Sequence, residues 1–574
     1  MKKNHTIFFG ILSGILGILY FIIVYKFTIN IPIADDFVAI QNFLLKYIQS
    51  SSIQEKLSLL FAQHDLHRIL FARLIIILSY TFTGSLNYSV FIIIGNILLL
   101  CICFFMYKTA SNKEFISIYI LLIVLVFLNG QNFDTSTWAM VSIANIGIIF
   151  LVLSSIFCTL NTKRSLFYCG LALSAFTIFS NGNGMLIIPS ITIGLFLLNR
   201  KKDLLFFLCI SLISVFLYFT NFTGTNRTSF EFIGFVKGLP TIVSNFFMCV
   251  GIIFWIPSYK FLSFTIGLSC VFIFLFGFWK KWYKNNILLY AFLLFFYLSA
   301  AALAIAWFGG GEVVGALRYR IYFSPIIVLT LFLLINNLKK LKLVFIYSFF
   351  PFILAFSLLS TILYFTKEQK KYEWKKKASY NWYSGQTRLG LTTNAMDNFH
   401  DVERLGLYFI PKYHLSEYAS TITDGKDNSF NDTESISYNI ESIENKEGFL
   451  LIEGWGFLDN KSMNFKRIFV RLTNSEQSFI ASTFCERRYD LDHDIPIDRK
   501  EHCGFFAAID KSLIPSGTYM ISICIKNVFG YGDSYNIKTD KNVTVQKHIS
   551  AQQFTNPVIP GDFADPTVVR VGDK

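Results

Sequence analysis

Long apolar runs separated by short basic clusters dominate residues 1–365. Runs long enough to cross a bilayer as helices, at roughly 20 residues each, fall at 7–29, 87–107, 138–160, 203–220, 260–279, 286–307, 321–337 and 342–364, with shorter ones at 115–130, 165–180 and 185–199. Two stretches are ambiguous: 69–83 carries Arg68 and Arg73 at its start, and 238–256 contains Pro240 and Asn245. Each either crosses or lies in the interface. After 364 the pattern changes. Residues 366–430 are rich in Lys, Tyr and polar side chains and read as a helical or irregular connector. Residues 431–546 alternate apolar and polar positions, as in Ile468-Phe469-Val470-Arg471-Leu472 and Tyr519-Met520-Ile521-Ser522-Ile523, with turn signals such as Pro515-Ser516-Gly517. This period of two predicts a small antiparallel β-sandwich.

Composition agrees with a polytopic α-helical membrane protein: 53% of the 574 residues are hydrophobic and 15% charged. The net charge of +14 lies mostly in short Lys/Arg clusters between apolar runs, the signature of topology signals and anionic lipid contacts rather than of nucleic acid. With the amino terminus cytoplasmic and both ambiguous stretches outside, Lys108/Lys113, Lys163/Arg164, Arg200/Lys201/Lys202, Lys280/Lys281/Lys284 and Lys339/Lys340/Lys342 all fall inside. If both stretches cross, the first three clusters move outside. The positive-inside rule therefore favours about eleven spans over about thirteen. Both counts are odd and leave the sandwich extracytoplasmic. The run at 7–29 is long enough to span and lacks a small-residue cleavage site, so it reads as a retained first helix. Cysteines in the apolar segments read as small hydrophobes; Cys485, Cys503 and Cys524 lie in the soluble part, where their spacing does not specify a disulfide.

Candidate chemistry begins with Ala34-Asp35-Asp36-Phe37, just past the first span. Carboxylates at a bilayer face are costly to keep ionised, so a retained pair marks a functional site unless it caps a helix starting near Phe37. In the same loop, Gln63-His64-Asp65-Leu66-His67-Arg68 precedes Arg73. If 64–80 is helical, His64 and Arg68 share a face and form a cationic ridge near the carboxylates; the alternative is that Arg68 and Arg73 snorkel to lipid headgroups. A carboxylate with nearby Arg or His suits group transfer from a phosphate leaving group, the one accepting a proton and the other neutralising charge.

Asn181-Gly182-Asn183-Gly184 interrupts two short apolar runs, as a broken helix lining a site or as a tight turn. Gly309-Gly310-Gly311-Glu312 leads to Arg318-Tyr319-Arg320, where two arginines in an extended segment can both reach a phosphate. Gln131-Asn132-Phe133-Asp134 with Trp138 offers polar sugar contacts, although Trp138 also suits an interfacial anchor. His493 and His502 of the sandwich lack metal-ligand spacing.

A first span, an Asp-containing loop, an interfacial helix, many further spans and an outer C-terminal domain together resemble the GT-C class of integral-membrane glycosyltransferases, over roughly residues 1–365. The His67-Arg68-Ile69-x-x-x-Arg73 stretch, Asn181-Gly182-Asn183-Gly184 and Arg318-Tyr319-Arg320 are similar to segments of bacterial O-antigen and cell-wall glucosyltransferases. The resemblance implies an inverting hexosyltransferase of the bacterial inner membrane, moving a sugar from an undecaprenyl-phosphate donor to a surface glycan on the periplasmic face. It implies one aspartate of the first loop as catalytic base without fixing which; we read it as Asp36, with Asp35 supporting it or helping to hold a metal, donor phosphate at Arg318, Arg320, Arg68, His64 and Arg73, and sugar or acceptor contacts at Asn181, Asn183 and Trp138. It leaves a divalent cation, Mg or Mn, open, and no second carboxylate cluster assigns metal ligands. A lipid-linked glycan flippase and a polysaccharide polymerase are the alternatives. The implied division is 1–365 catalytic membrane domain, 366–430 connector, 431–546 sandwich and 547–574 tail. The tail, Asn556-Pro557-Val558 through Asp565-Pro566, is similar to the opening of a family 43 glycoside hydrolase but too short for a propeller.

Overall fold

The computed structural model describes residues 3–111, 115–223, 232–254, 260–306, 317–338, 342–385, 396–425, 430–433, 435–459, 461–491, 495–529 and 534–546. The 547–574 tail, Gly309-Gly310-Gly311-Glu312 and His493 lie outside them. The chain divides into two compact units, Met1–Tyr413 and His414–Lys574.

The first unit is helical and belongs in a membrane. Among the described residues, eight helices are long and apolar enough to span: Thr6–Phe27, Tyr88–Lys108, Ala139–Thr159, Lys201–Phe219, Lys260–Trp279, Ile287–Ala306, Arg318–Asn337 and Phe350–Tyr383. Ile116–Phe127 and Gly130–Ser136, bent by 51° at a short break, make a ninth if counted as one span. Leu70–Thr83, Arg164–Ile178, Gly182–Leu197 and Val236–Val250 are shorter apolar helices. Each predicted apolar run is helical, and the number that cross turns on these shorter ones. Large apolar side chains such as Phe82, Phe216 and Phe272 stay exposed on helix surfaces, as lipid-facing residues do. Local signals set the ends: Gly84 at φ 70° stops Leu70–Thr83, its N–H donating to the Tyr80 carbonyl at 2.8 Å, and Pro325 lies in the first turn of Ser324–Asn337.

Two local expectations change. Gln63–His64 and His67–Arg68 pair as a two-stranded hairpin rather than a helix, and the helix begins at Leu70. Asp65 turns the hairpin at φ 49°, a left-handed conformation that Asp tolerates better than most residues. The predicted boundary at 365 is also absent. Lys342–Tyr383 is one 42-residue helix, because residues 366–377 are mostly Lys, Glu and Gln, strong helix formers despite their polarity.

In the second unit, a four-stranded sheet orders Ile436–Lys446, Phe449–Leu458, Gly504–Asp510 and Phe484–Glu486. A six-stranded sheet orders Ile422–Asp424, Ser478–Ser482, Lys466–Thr473, Gly517–Asn527, Ser534–Val545 and Phe430–Asp432. All neighbours are antiparallel except the last pair. One apolar core draws Leu450, Ile452 and Phe505 from the first sheet and Val470, Ile521 and Ile523 from the second. Cys485, Cys503 and Cys524 are free thiols.

Candidate functional site

The loop after the first span makes a tight turn at Ala34, held at φ 44°. An L-residue there costs roughly 1–2 kcal/mol, and the turn lets Asp36 fold back on its own loop. The Ile33 N–H donates to Asp36 Oδ2 at 2.9 Å, while the Asp36 N–H donates to the Ile33 carbonyl at 3.0 Å. The other oxygen, Oδ1, accepts the Met140 N–H at 2.8 Å, from a residue 104 positions along the chain. Asp36 is 1% exposed. Burial pushes its carboxyl up to about 6, against the pull of the two backbone N–H groups and of Lys375. It does not cap the helical turn Phe37–Asn42 with its side chain. Asp36 thus clamps the first loop to the start of Ala139–Thr159.

Asp35 points elsewhere. Its side chain is 54% exposed, and its Oδ2 lies 3.4 Å from Arg318 Nη1. The Arg318 guanidinium also sits 6.0 Å from the Trp138 ring and 5.2 Å from the Tyr319 ring. Two side chains, Asn145 Nδ2 at 3.2 Å and Thr135 Oγ1 at 3.5 Å, donate to the Arg318 carbonyl and fix its backbone. Tyr322 donates to Asn145 Oδ1 at 3.3 Å. In the Asn181–Gly184 turn, Asn181 Oδ1 accepts the Asn183 N–H at 3.0 Å and caps the short helix Gly182–Leu186. Trp138 is half-buried, and its indole N–H meets no acceptor among the described residues.

The other predicted arginines are engaged within the fold, Arg68 and Arg73 by backbone carbonyls and Arg320 by side chains. Arg68 donates from Nε to the Tyr218 carbonyl at 2.8 Å, from Nη2 to the Thr220 carbonyl at 2.6 Å and from Nη1 to the Phe61 carbonyl, so it ties off the ends of two helices. Arg73 donates from Nη1 to the carbonyls of Leu60, at 3.1 Å, and Ala62, and lies over the Phe43 ring. Arg320 is 1% exposed and held by Gln131 Oε1 and the Tyr364 hydroxyl. Leu317–Tyr322 is a 3-10 helix, not an extended segment, which is why Arg318 and Arg320 face different partners. The structure therefore brings Asp35, Arg318 and Trp138 together and leaves Arg68, Arg73 and Arg320 as braces. No group of His, Cys, Asp or Glu side chains among the described residues is arranged to hold a metal ion.

No family model matches this chain, and neither a curated protein nor a solved structure is similar to it.

Sequence reading missed a set of charges from the long helix Lys342–Tyr383. Lys371 Nζ lies 2.7 Å from Asp134 Oδ1, 3.3 Å from Thr137 Oγ1 and 3.7 Å from Glu368 Oε2, and 5.9 Å from the Trp138 ring. Lys375 Nζ donates to the Thr137 carbonyl at 3.3 Å. The only sequence signal was their spacing, 368, 371 and 375, which shares one helical face.

His64 supplies a pH test. Burial, reinforced by Arg73, holds its imidazole below the ordinary histidine range, against Asp35 and Asp65. The folded state thus disfavours the proton, and stability present above the ordinary histidine pKa is lost as pH falls through it. The thermal midpoint of His64→Gln minus that of the unmodified protein should be more positive at pH 5 than at pH 8. A difference that does not vary with pH rejects the assignment.

Proposed function

We propose that the chain is a bacterial inner-membrane glycosyltransferase, inverting, that takes a sugar from an undecaprenyl-phosphate donor and attaches it to a surface glycan on the periplasmic face. The observation that carries this reading is the Asp35–Arg318 pair, 3.4 Å apart and both partly exposed, beside the Trp138 ring. A base and a phosphate-neutralising fork at one mouth are what glycosyl transfer from a lipid phosphate requires. The acceptor hydroxyl attacks the anomeric carbon, the bond from that carbon to the phosphate oxygen breaks, and Asp35 takes the hydroxyl proton. Undecaprenyl phosphate leaves with its new charge beside Arg318.

The geometry supports exchanging the roles read for the two aspartates from the resemblance. Asp36, with both oxygens engaged by backbone N–H groups, is read as the group that shapes the loop, and Asp35 as the base. Trp138 offers the sugar its ring face beside Arg318. About eleven spans place this loop and the second unit outside. Read as a β-sandwich, the second unit serves as an acceptor-positioning module.

Purified protein incubated in detergent with undecaprenyl-phosphate sugars and surface glycan should release undecaprenyl phosphate and extend the glycan, as mass spectrometry reads directly. Arg318→Lys keeps the charge and loses the fork. A charge-assisted hydrogen bond is worth about 1.5–3 kcal/mol, so kcat/KM for the donor should drop roughly 10- to 100-fold. No product with any such donor, together with donor translocation in vesicles, favours a flippase instead.

A further inference from the structure

Glu368, Lys371 and Lys375 carry a second role on the page. All three lie on one face of Lys342–Tyr383 and all are shielded: Glu368 and Lys375 are 5% and 2% exposed, and the Lys371 side chain 10%. Burying a charge costs several kcal/mol unless partners compensate it, so where these charges are directed is informative. One short segment supplies hydrogen-bond or ion-pair partners to all three. Thr137 Oγ1 donates to Glu368 at 2.7 Å, Lys371 pairs with Asp134 and donates to Thr137 Oγ1, and Lys375 donates to the Thr137 carbonyl.

That segment has little regular structure of its own to hold it. It follows the 51° break, runs through the four-residue helix Phe133–Ser136, and is irregular at Thr137 and Trp138 before Ala139 resumes the helix. Just after it, Asp36 accepts the Met140 N–H. Trp138 is therefore gripped between a carboxylate two residues after it and two lysines and a glutamate bound to the residues before it.

We propose that Glu368, Lys371 and Lys375 are positioning residues that fix Trp138 against Arg318, so that the helix Lys342–Tyr383 sets the geometry of the donor-sugar platform. This inference rests on the transfer reading for its consequence, but the clamp is testable without it. Hydrogen exchange on the full-length protein in detergent reads the peptide spanning residues 134–142. Lys375→Met and Lys371→Met should speed exchange there on the order of tenfold, about the effect of one lost hydrogen bond to a charged group. Exchange in residues 147–159 should stay near the unmodified value. Lys375→Arg should restore most of the protection, and Lys367→Met, an exposed lysine on the same helix, should change nothing.

In the transfer assay both Met variants should raise KM for the undecaprenyl-phosphate sugar more than they lower kcat. Unchanged exchange at 134–142 in an active protein overturns the clamp and leaves the transfer reading standing. Faster exchange in a protein that transfers no sugar from any such donor upholds the clamp and overturns the transfer reading. Should both variants fail to fold, Glu368→Gln, which keeps an acceptor for Thr137, provides the same peptide readout: exchange there should rise less than tenfold, and a rise spread equally over the whole unit overturns a local role.

Discussion

Asp36→Asn will remove nearly all transfer by loosening the loop that carries the site, not by removing a base. Two backbone N–H groups donate to the two oxygens of Asp36. An asparagine offers one oxygen and sets its amide N–H₂ against the other donor, so one buried hydrogen bond is lost and two donors face each other. The expected cost is about 2–4 kcal/mol, the sum of a lost charge-assisted bond and an unsatisfied buried donor. A lowered thermal midpoint in detergent, and faster exchange at the Met140 amide, check this. The unmodified midpoint in Asp36→Asn would remove the clamp from the account. The strained turn at Ala34 adds to the sensitivity, because the Asp36 bonds are what hold it.

The membrane class was legible because apolar runs of helical length have few other destinations, and each run found in the sequence is a helix. The strands Lys466–Thr473 and Gly517–Asn527 were legible from alternation for the same reason. The hairpin at 63–68 was not. Its cause is tertiary: Gln63 bonds the backbone of Thr223, and Arg68 the carbonyls of Tyr218 and Thr220, some 150 residues away. The continuation of the helix past 364 was left open between helix and irregular connector because its lysines look solvated, while their partners at 134 and 137 lie more than 230 positions earlier. Of the candidate site, Asp35, Arg318 and Trp138 were singled out by residue type near breaks in the apolar pattern. Which aspartate is buried, and which arginines are consumed by carbonyls, depends on backbone turns that residue type does not encode.

Asp35 carries the central claim. Asp35→Asn keeps the size of the side chain and a hydrogen-bonding oxygen beside Arg318, but it cannot take a proton from the acceptor hydroxyl, and general-base contributions run to roughly 100- to 10,000-fold in rate. Because Asp35 is 54% exposed, the thermal midpoint should stay unchanged, which separates it from Asp36→Asn. The deciding measurement is the single-turnover rate of sugar transfer from undecaprenyl-phosphate donor to glycan by purified Asp35→Asn, beside unmodified protein. The account predicts a loss of at least about 100-fold with unchanged donor binding and an unchanged midpoint; transfer by Asp35→Asn at the unmodified rate contradicts it.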